Sequence, residues 1–395
     1  MNSLQSYFTG TASKYLSAVD ATPKSNQHEI GSNRFTQILG NPGSEKKRLE
    51  ATFLLFAPDS DSPESCVDIV TWYDTRLNQP CRSPEYRLYY RNNPVTEQFR
   101  EGDFCLVATL TSGKLLIAIA RPGSQDEARL RHLFNLATTL QGWNVQAEVT
   151  NRQIDLASRQ ILEALGLDTA QPETVDVDAL VNKFGLTFPP TKAFSALARQ
   201  WCPHTSPIEE PDEALETWMR YEEAMFRALE NLLVREKLRS GFSEVEDFIA
   251  FSLSVQNRRK SRVGHALEHH LSAVLQANSI RHERGAKTEN NAKPDFLFPG
   301  AAQYHDARIG SPPLRMLGAK TTCKDRWRQI LAEAQRIPEK HLFTLETAIS
   351  SNQLREMHAH KVHLVTTPSI SATYTQSVMN LREFIQMIQA DQARP

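Results

Sequence analysis

The sequence lacks any long apolar run, and nothing in it approaches the roughly 20 apolar residues a membrane-spanning helix needs. Its start, M-N-S-L-Q-S-Y-F, has neither the basic residues nor the apolar stretch of a secretory signal. Cysteine is scarce: Cys66, Cys81, Cys105, Cys202 and Cys323 are odd in number, scattered, and never at zinc-ligand spacing. That excludes a disulfide framework and a zinc finger, and predicts reduced thiols in a cytoplasmic protein. Sustained heptads, internal repeats and low-complexity tracts are also missing, which leaves little room for a scaffold or filament. Nor is there an excess of one charge, since the net value is −1. What remains is an ordinary globular composition, 40% hydrophobic and 23% charged, in 395 residues, enough for two domains.

Charge is unevenly distributed along the chain. Between Gln256 and Lys340 there are 16 Lys/Arg against 8 Asp/Glu, a local excess of +8. Between Glu148 and Glu216 there are 12 acids against 5 bases, a local −7. A basic block beside an acidic connector fits a nucleic-acid surface; two solvated faces of opposite sign are the plain alternative.

Residues 1–136 read as strands: A-T-F-L-L-F-A, V-D-I-V-T-W-Y, Y-R-L-Y-Y, D-F-C-L-V-A-T-L and K-L-L-I-A-I-A are short, β-branched or aromatic, and bounded by turn formers. T-S-G-K predicts a hairpin turn between the last two. Such closely spaced strands suggest an all-β barrel or sandwich. Residues 137–183 read as an acidic helical linker, with R-Q-I-D-L-A-S-R-Q-I-L-E-A-L-G-L at helical spacing and a stop at Gly166. Residues 184–395 alternate. Helices are predicted over about Asp212–Arg239, Val245–Asn257, Gly264–Ala277, Asp325–Arg336 and Ser350–His358, and again from Tyr374. Between them lie D-F-L-F, L-R-M-L-G-A-K-T-T, H-L-F-T-L and K-V-H-L-V-T-T-P, which predicts an α/β domain with a mixed central sheet.

The chemistry concentrates between Lys293 and Glu333. Asp295 opens one apolar run and Lys320 closes the next; Glu333 follows on the predicted helix. Two acids and a lysine on adjacent elements suit metal-assisted phosphodiester cleavage, with Asp295 and Glu333 as metal ligands and Lys320 as the polar helper. Nuclease folds written PD-(D/E)xK carry their second acid two residues before the lysine, and that position here is Gly318. Glu333 can substitute if its helix, two turns on from Asp325, packs against the site. Glu268, 27 residues before Asp295, could bind metal through water or support it. Surface ion pairs are the plain alternative for these acids. K-D-R-W-R (324–328) offers Lys324, Asp325, Arg326 and Arg328; arginine on guanine and aspartate on cytosine are the direct pairings for G·C. N-R-R-K-S-R contributes Arg258, Arg259, Lys260 and Arg262 as a phosphate clamp, or as a solvated charge run.

S-x-Q-N-R-R-K-S-R-x-G-x-x-L-E, K-P-D-F-L-F-P-x-x-x-x-Y-H-D, L-R-M-L-x-x-K-T-T-C-K-D-R-W-R-Q-I-L-x-E-A and H-L-F-T-L closely resemble the catalytic domain of EcoRII-type restriction endonucleases, over roughly 184–395. The resemblance implies a PD-(D/E)xK nuclease, Mg²⁺-dependent double-strand cleavage and a homodimer with one site per subunit. It places Asp295, Lys320 and Glu333 on the catalytic positions and Lys324, Asp325 and Arg326 on the C·G-reading motif. Tyr304 falls on the Y-H-D tyrosine, a helper near the scissile phosphate. The implied protein is a type II enzyme of the prokaryotic cytoplasm with access to the nucleoid. It would cut at a short C·G-flanked sequence, with a cognate methyltransferase as partner if that target is unmodified.

The first half is similar in layout to the effector domain of that family, a B3-like barrel that binds a second target copy and relieves autoinhibition. N-Q-H-E-I-G carries His28, and Arg34 follows; Y-D-T-R-L-N and R-S-P-E-Y-R-L-Y-Y-R occupy the place of the basic recognition segment. Arg76, Arg82, Arg87 and Arg91 interleave there with Tyr86 and Tyr89. Strand alternation puts Tyr86, Leu88 and Tyr90 on one face and Arg87, Tyr89 and Arg91 on the other. An Arg/Tyr face can grip phosphates and read bases; a core tyrosine row with solvated arginines is the plain alternative. Two other functions stay open: a modification-dependent endonuclease whose first domain reads a methylated base, and a catalytically silent sequence-specific DNA-binding protein.

Overall fold

The computed structural model describes residues 3–21, 28–57, 63–79, 81–137, 142–151, 154, 159, 162–163, 167, 175–202, 204–306, 313–374 and 378–394. The helical reading of 152–167 and its stop at Gly166 lie largely outside these. The chain divides into two compact units: Met1–Thr169 with Ala348–Gln353, and Ala170–Thr347 with Leu354–Pro395.

In the first unit eight strands form one sheet. They are β1 (Phe8–Tyr15), β2 (Glu29–Ile30), β3 (Lys47–Phe56), β4 (Glu64–Asp74), β5 (Tyr86–Tyr89), β6 (Phe104–Leu110), β7 (Leu115–Ala120) and β8 (Asn144–Gln146). Their order is β2-β5-β4-β3-β7-β6-β1-β8. All pairings are antiparallel except β3 with β7. The T-S-G-K turn is as predicted: the Leu110 N–H donates to the Lys114 carbonyl, and Gly113 supplies the left-handed φ of +82°. The central strands are buried on both faces, which is why they read as unbroken apolar runs. Phe53 and Leu55 face one core; Leu54 and Phe56 face a second, covered by helix α1 (Gln125–Phe134) through Leu130, Leu133 and Phe134.

The sheet curls around the first core. Ile30 from one edge strand and Val145 from the other both pack there, and Phe35 meets Trp143 edge-on with ring centroids 4.7 Å apart. Among the described residues, side chains rather than strand pairing join the two edges. Strand β8 is a correction to the predicted acidic helical linker over 137–183: N-V-Q alternation is too short to announce a strand, but Thr11, Ala12 and Ser13 of β1 offer it a ladder.

The second unit holds a mixed sheet of order β14-β13-β12-β11-β10-β9: β9 (Glu283–Arg284), β10 (Phe296–Phe298), β11 (Arg315–Lys320), β12 (Lys340–Thr344), β13 (Val362–Thr366) and β14 (Met379–Asn380). β9, β10 and β11 pair antiparallel; β11 to β14 pair parallel. Its longer helices are α2 (Val177–Phe184), α3 (Thr191–Trp201), α4 (Pro211–Ser240), α5 (Val245–Ala277), α6 (Ser351–Ala359, from Leu354 on) and α7 (Leu381–Gln392). Two predicted helices are one, because α5 runs unbroken through Arg258–Arg262 and Gly264. The last helix starts at Leu381 rather than Tyr374, where Asn380 and Glu383 form a reciprocal capping box. Among the described residues, no helix is long and apolar enough to cross a membrane.

Candidate nuclease site

Asp295 stands immediately before β10, and Lys320 is the last residue of β11, the neighbouring antiparallel strand. The pairing brings them together. Asp295 Oδ2 accepts from the Ala319 N–H at 2.7 Å and from Lys320 Nζ at 2.8 Å. Both side chains keep some access to solvent, at 15% and 19% exposure.

The second acid arrives differently from the sequence prediction. The segment after Lys320 is a 3₁₀ helix, Asp325–Ala332, not an α-helix reaching Arg336, and Glu333 lies just past its end in extended conformation. Ile330 explains why. A Cβ at Gly318 would come within 2.7 Å of Ile330 Cγ2, so the bare glycine lets the 3₁₀ segment lie directly on β11. An acid at position 318, the usual place, would push that segment off. Glycine there and glutamate at 333 are two halves of one arrangement.

Glu333 is pushed up to about 7, first by burial and next by the Asp295 charge, with Lys320 and Lys340 pulling the other way. The three groups of the predicted triad therefore share one electrostatic site. Glu333 Oε2 is buried without a hydrogen-bond partner. A buried orphan carboxylate oxygen facing a second carboxylate is costly as it stands, and a cation between them would remove the cost. The donor set, hard oxygen with no imidazole or thiolate, suits Mg²⁺. Among the described residues, no group of three or more His, Cys, Asp or Glu could hold a metal ion, so a cation here would take its other ligands from water or substrate.

Other predicted residues have different placements. Glu268 pairs with Arg284 at 2.5 Å, and Arg284 also meets His269 Nδ1 at 2.9 Å. Tyr304 is buried; its hydroxyl donates to Glu289 at 2.5 Å and accepts from the Arg336 N–H at 3.3 Å, and burial raises its pKa to about 12. In the basic run, Arg262 is a correction. It is buried against Glu222 and Glu223, beside a fully buried His270, and a side chain so committed cannot clamp a phosphate. Arg259 pairs with Glu230 at 2.6 Å, and Arg258 lies over the Phe188 ring at 4.2 Å. Arg258 and Lys260 are exposed. Arg328 pairs with Glu356 at 2.8 Å and Arg326 is exposed, while the side chain of Asp325 lies outside the described residues.

In the first unit the alternation holds. Leu88 and Tyr90 are buried and Tyr86 packs on the same core near Trp72, while Tyr89 and Arg91 are exposed. Arg76 and Arg87 both pair with Glu85. Arg34 and Arg82 are exposed, and His28 meets Tyr90 edge-on. Sequence reasoning passed over Lys340, Thr288 and Glu289, which surround the Glu333 turn. A lysine opening the otherwise apolar H-L-F-T-L strand was the one signal.

The family described as EcoRII C terminal matches residues 226–385. The chain is 48% identical over 181 residues to the type II restriction enzyme EcoRII of Escherichia coli, a match covering 45% of each protein. It is 26% identical over 174 residues to the type II restriction enzyme SsoII of Shigella sonnei, covering 38% of this chain and 56% of that one. The matches thus span about half the length of these curated relatives. Among solved structures it resembles metal-depleted Ecl18kI in complex with uncleaved DNA (19% identity, TM-score 0.45, 55% of this chain and 84% of that one). It also resembles the PspGI–substrate DNA complex (15% identity, TM-score 0.44, 55% and 98%). The segment of residues 226–385 that matches the EcoRII C-terminal family contains Asp295, Lys320 and Glu333 together.

Proposed function

We propose that this chain is a type II restriction endonuclease of the EcoRII kind, a site-specific deoxyribonuclease that makes Mg²⁺-dependent double-strand cuts at a short C·G-flanked sequence. The observation that carries this reading is the meeting of Asp295, Lys320 and the orphaned Glu333 oxygen at the end of β10 and β11. Asp295 and Glu333 would hold the ion, which when bound supplies Lewis acidity at the phosphate and a water of lowered pKa. Lys320, steered by Asp295, presents its ammonium to a phosphate oxygen and offsets the charge that builds there. Lys324, Asp325 and Arg326 lie four to six residues past the end of that strand and are the candidates for reading C·G base edges; Arg258 and Lys260 are the exposed cations for backbone contacts.

The first domain is assigned as a B3-like DNA-binding barrel that binds a second target copy and gates the catalytic domain. Its curled sheet and the exposed Tyr89 and Arg91, beside the half-buried Arg87, support this. The working form is a cytoplasmic homodimer. Its seat would be the tip of the α4–α5 hairpin, where Leu238, Val245, Phe248, Ile249 and Leu253 are all exposed. Lys237 and Arg239 end α4, while Glu246 and Asp247 open α5, so the tip carries both signs and can complement itself across a two-fold axis.

The test is digestion of one plasmid prepared unmethylated, cytosine-methylated, and unmethylated with an added C·G-flanked duplex, in Mg²⁺. Cutting of unmethylated DNA, stimulated by the duplex, is the expected result. Cutting only of methylated DNA would make the first domain a modification reader and dispense with a methyltransferase. Asp295→Ala should abolish cleavage and retain specific binding; a variant that cuts normally would remove the site from this position.

A further inference from the structure

We propose that Lys340 is a positioning residue for Glu333: its buried ammonium fixes the turn 333–337, and with it the place of the second acid. This rests on the reading of Asp295 and Glu333 as the metal-holding pair.

Lys340 opens β12 and is 6% exposed. Its Nζ donates to the carbonyls of Glu333, Ala334 (3.1 Å) and Ile337 (3.2 Å), so each of its three donors meets a backbone oxygen of the same turn. The opposite side of the turn is held as closely. The N–H groups of three consecutive residues, Ala334, Gln335 and Arg336, donate to Thr288 Oγ1 (3.3 Å), Glu289 Oε2 (3.1 Å) and the Tyr304 hydroxyl (3.3 Å). Glu289 and Tyr304 are joined to each other at 2.5 Å.

The turn needs this grip. Ala334 is fully buried with φ of +45°, a left-handed conformation that an alanine adopts only when its surroundings impose it. Glu333 lies beyond the 3₁₀ helix, so that element does not fix its carboxylate; the turn does. A buried ammonium loses its hydration and is costly unless its donors are met, and here all three are met by carbonyls of this turn. A lysine reaching in from the neighbouring strand ties the acid to the sheet that carries Asp295 and Lys320. Tyr304 and Glu289 then support the same turn from the other side.

The experiment uses the full chain. Lys340→Met keeps the apolar stem and removes every donor, Lys340→Arg restores a cation, and Glu333→Gln and Asp295→Ala are the controls. Mn²⁺ binding is measured by calorimetry without DNA, the Mg²⁺ midpoint by plasmid cleavage, and folding by thermal melts in EDTA. Lys340→Met is expected to stay folded, weaken Mn²⁺ by roughly 10–100-fold and raise the Mg²⁺ midpoint by a similar factor, as loss of a ligand's outer support does. Lys340→Arg should recover part of both. A folded Lys340→Met with wild-type Mn²⁺ affinity and midpoint overturns the proposal. If Lys340→Met does not fold, Lys340→Gln, which keeps an amide donor, takes its place: an intermediate shift supports the role and an unchanged affinity overturns it. Loss of binding in both controls with none in Lys340→Met would sink the role of Lys340 alone. Wild-type Mn²⁺ binding in the controls would sink the metal site itself.

Discussion

Glu333 is held near neutrality by burial and by the Asp295 charge, and that has a consequence for stability. Its folded pKa of about 7 lies above the ordinary glutamate value, so between roughly pH 4.5 and 7 the unfolded chain releases a proton that the folded chain keeps. Stability contributed by this group is therefore lost as pH rises through that window. Glu333→Gln should stabilise the metal-free protein by on the order of 1–3 kcal/mol at pH 8 and by little at pH 5. Thermal melts in EDTA at the two pH values check this, and equal effects at both would refute it. Mg²⁺ at pH 8 should raise the melting temperature of the wild type and leave Glu333→Gln unmoved. Lys320 and Asp295 were legible from residue type and spacing because adjacent strands bring together what the pattern predicts. The tyrosine and the arginines were less so. Whether Tyr304 or Arg262 turns inward depends on Glu289, Glu222 and Glu223, partners that no local pattern announces.

The 3₁₀ segment 325–332 and strand β11 act as a pair. Gly318→Ala would set a methyl against Ile330, at a cost of about 1–3 kcal/mol. Because it displaces the segment that leads to Glu333, cleavage should fall by about 100-fold, more than the stability loss accounts for. Ile330→Ala added to it should return part of the activity, since the two changes share one contact. A double mutant no better than Gly318→Ala would place the defect elsewhere. The strands of the first sheet were readable where both faces are buried or one face alternates. β1 escaped because F-T-G-T-A-S-K-Y is small and polar; what makes it a strand is a central position between β6 and β8. The long α5 was read as two helices because N-R-R-K-S-R and Gly264 look like an interruption. Arg262 and Arg259 instead bind the middle of α5 to glutamates of α4.

At the scale of the whole molecule, two cuts on opposite strands need two sites, and the α4–α5 tip is the proposed seat of the second copy. Phe248→Glu with Ile249→Glu should leave the fold intact, because both side chains are about half exposed. It should convert a dimer to a monomer in light scattering and turn double-strand cuts into nicks. A dimer that survives would move the seat to another face. The first sheet carries a different consequence at its seam, where Phe35 and Trp143 meet edge-on in place of a ladder. A hydrogen-bonded seam shifts only in whole residues, each shift costing every bond along it. Two rings can slide and tilt past one another continuously. The mouth of this sheet can therefore widen or narrow by small amounts without breaking a backbone bond, a freedom that the proposed DNA-binding role would use on grooves of differing width.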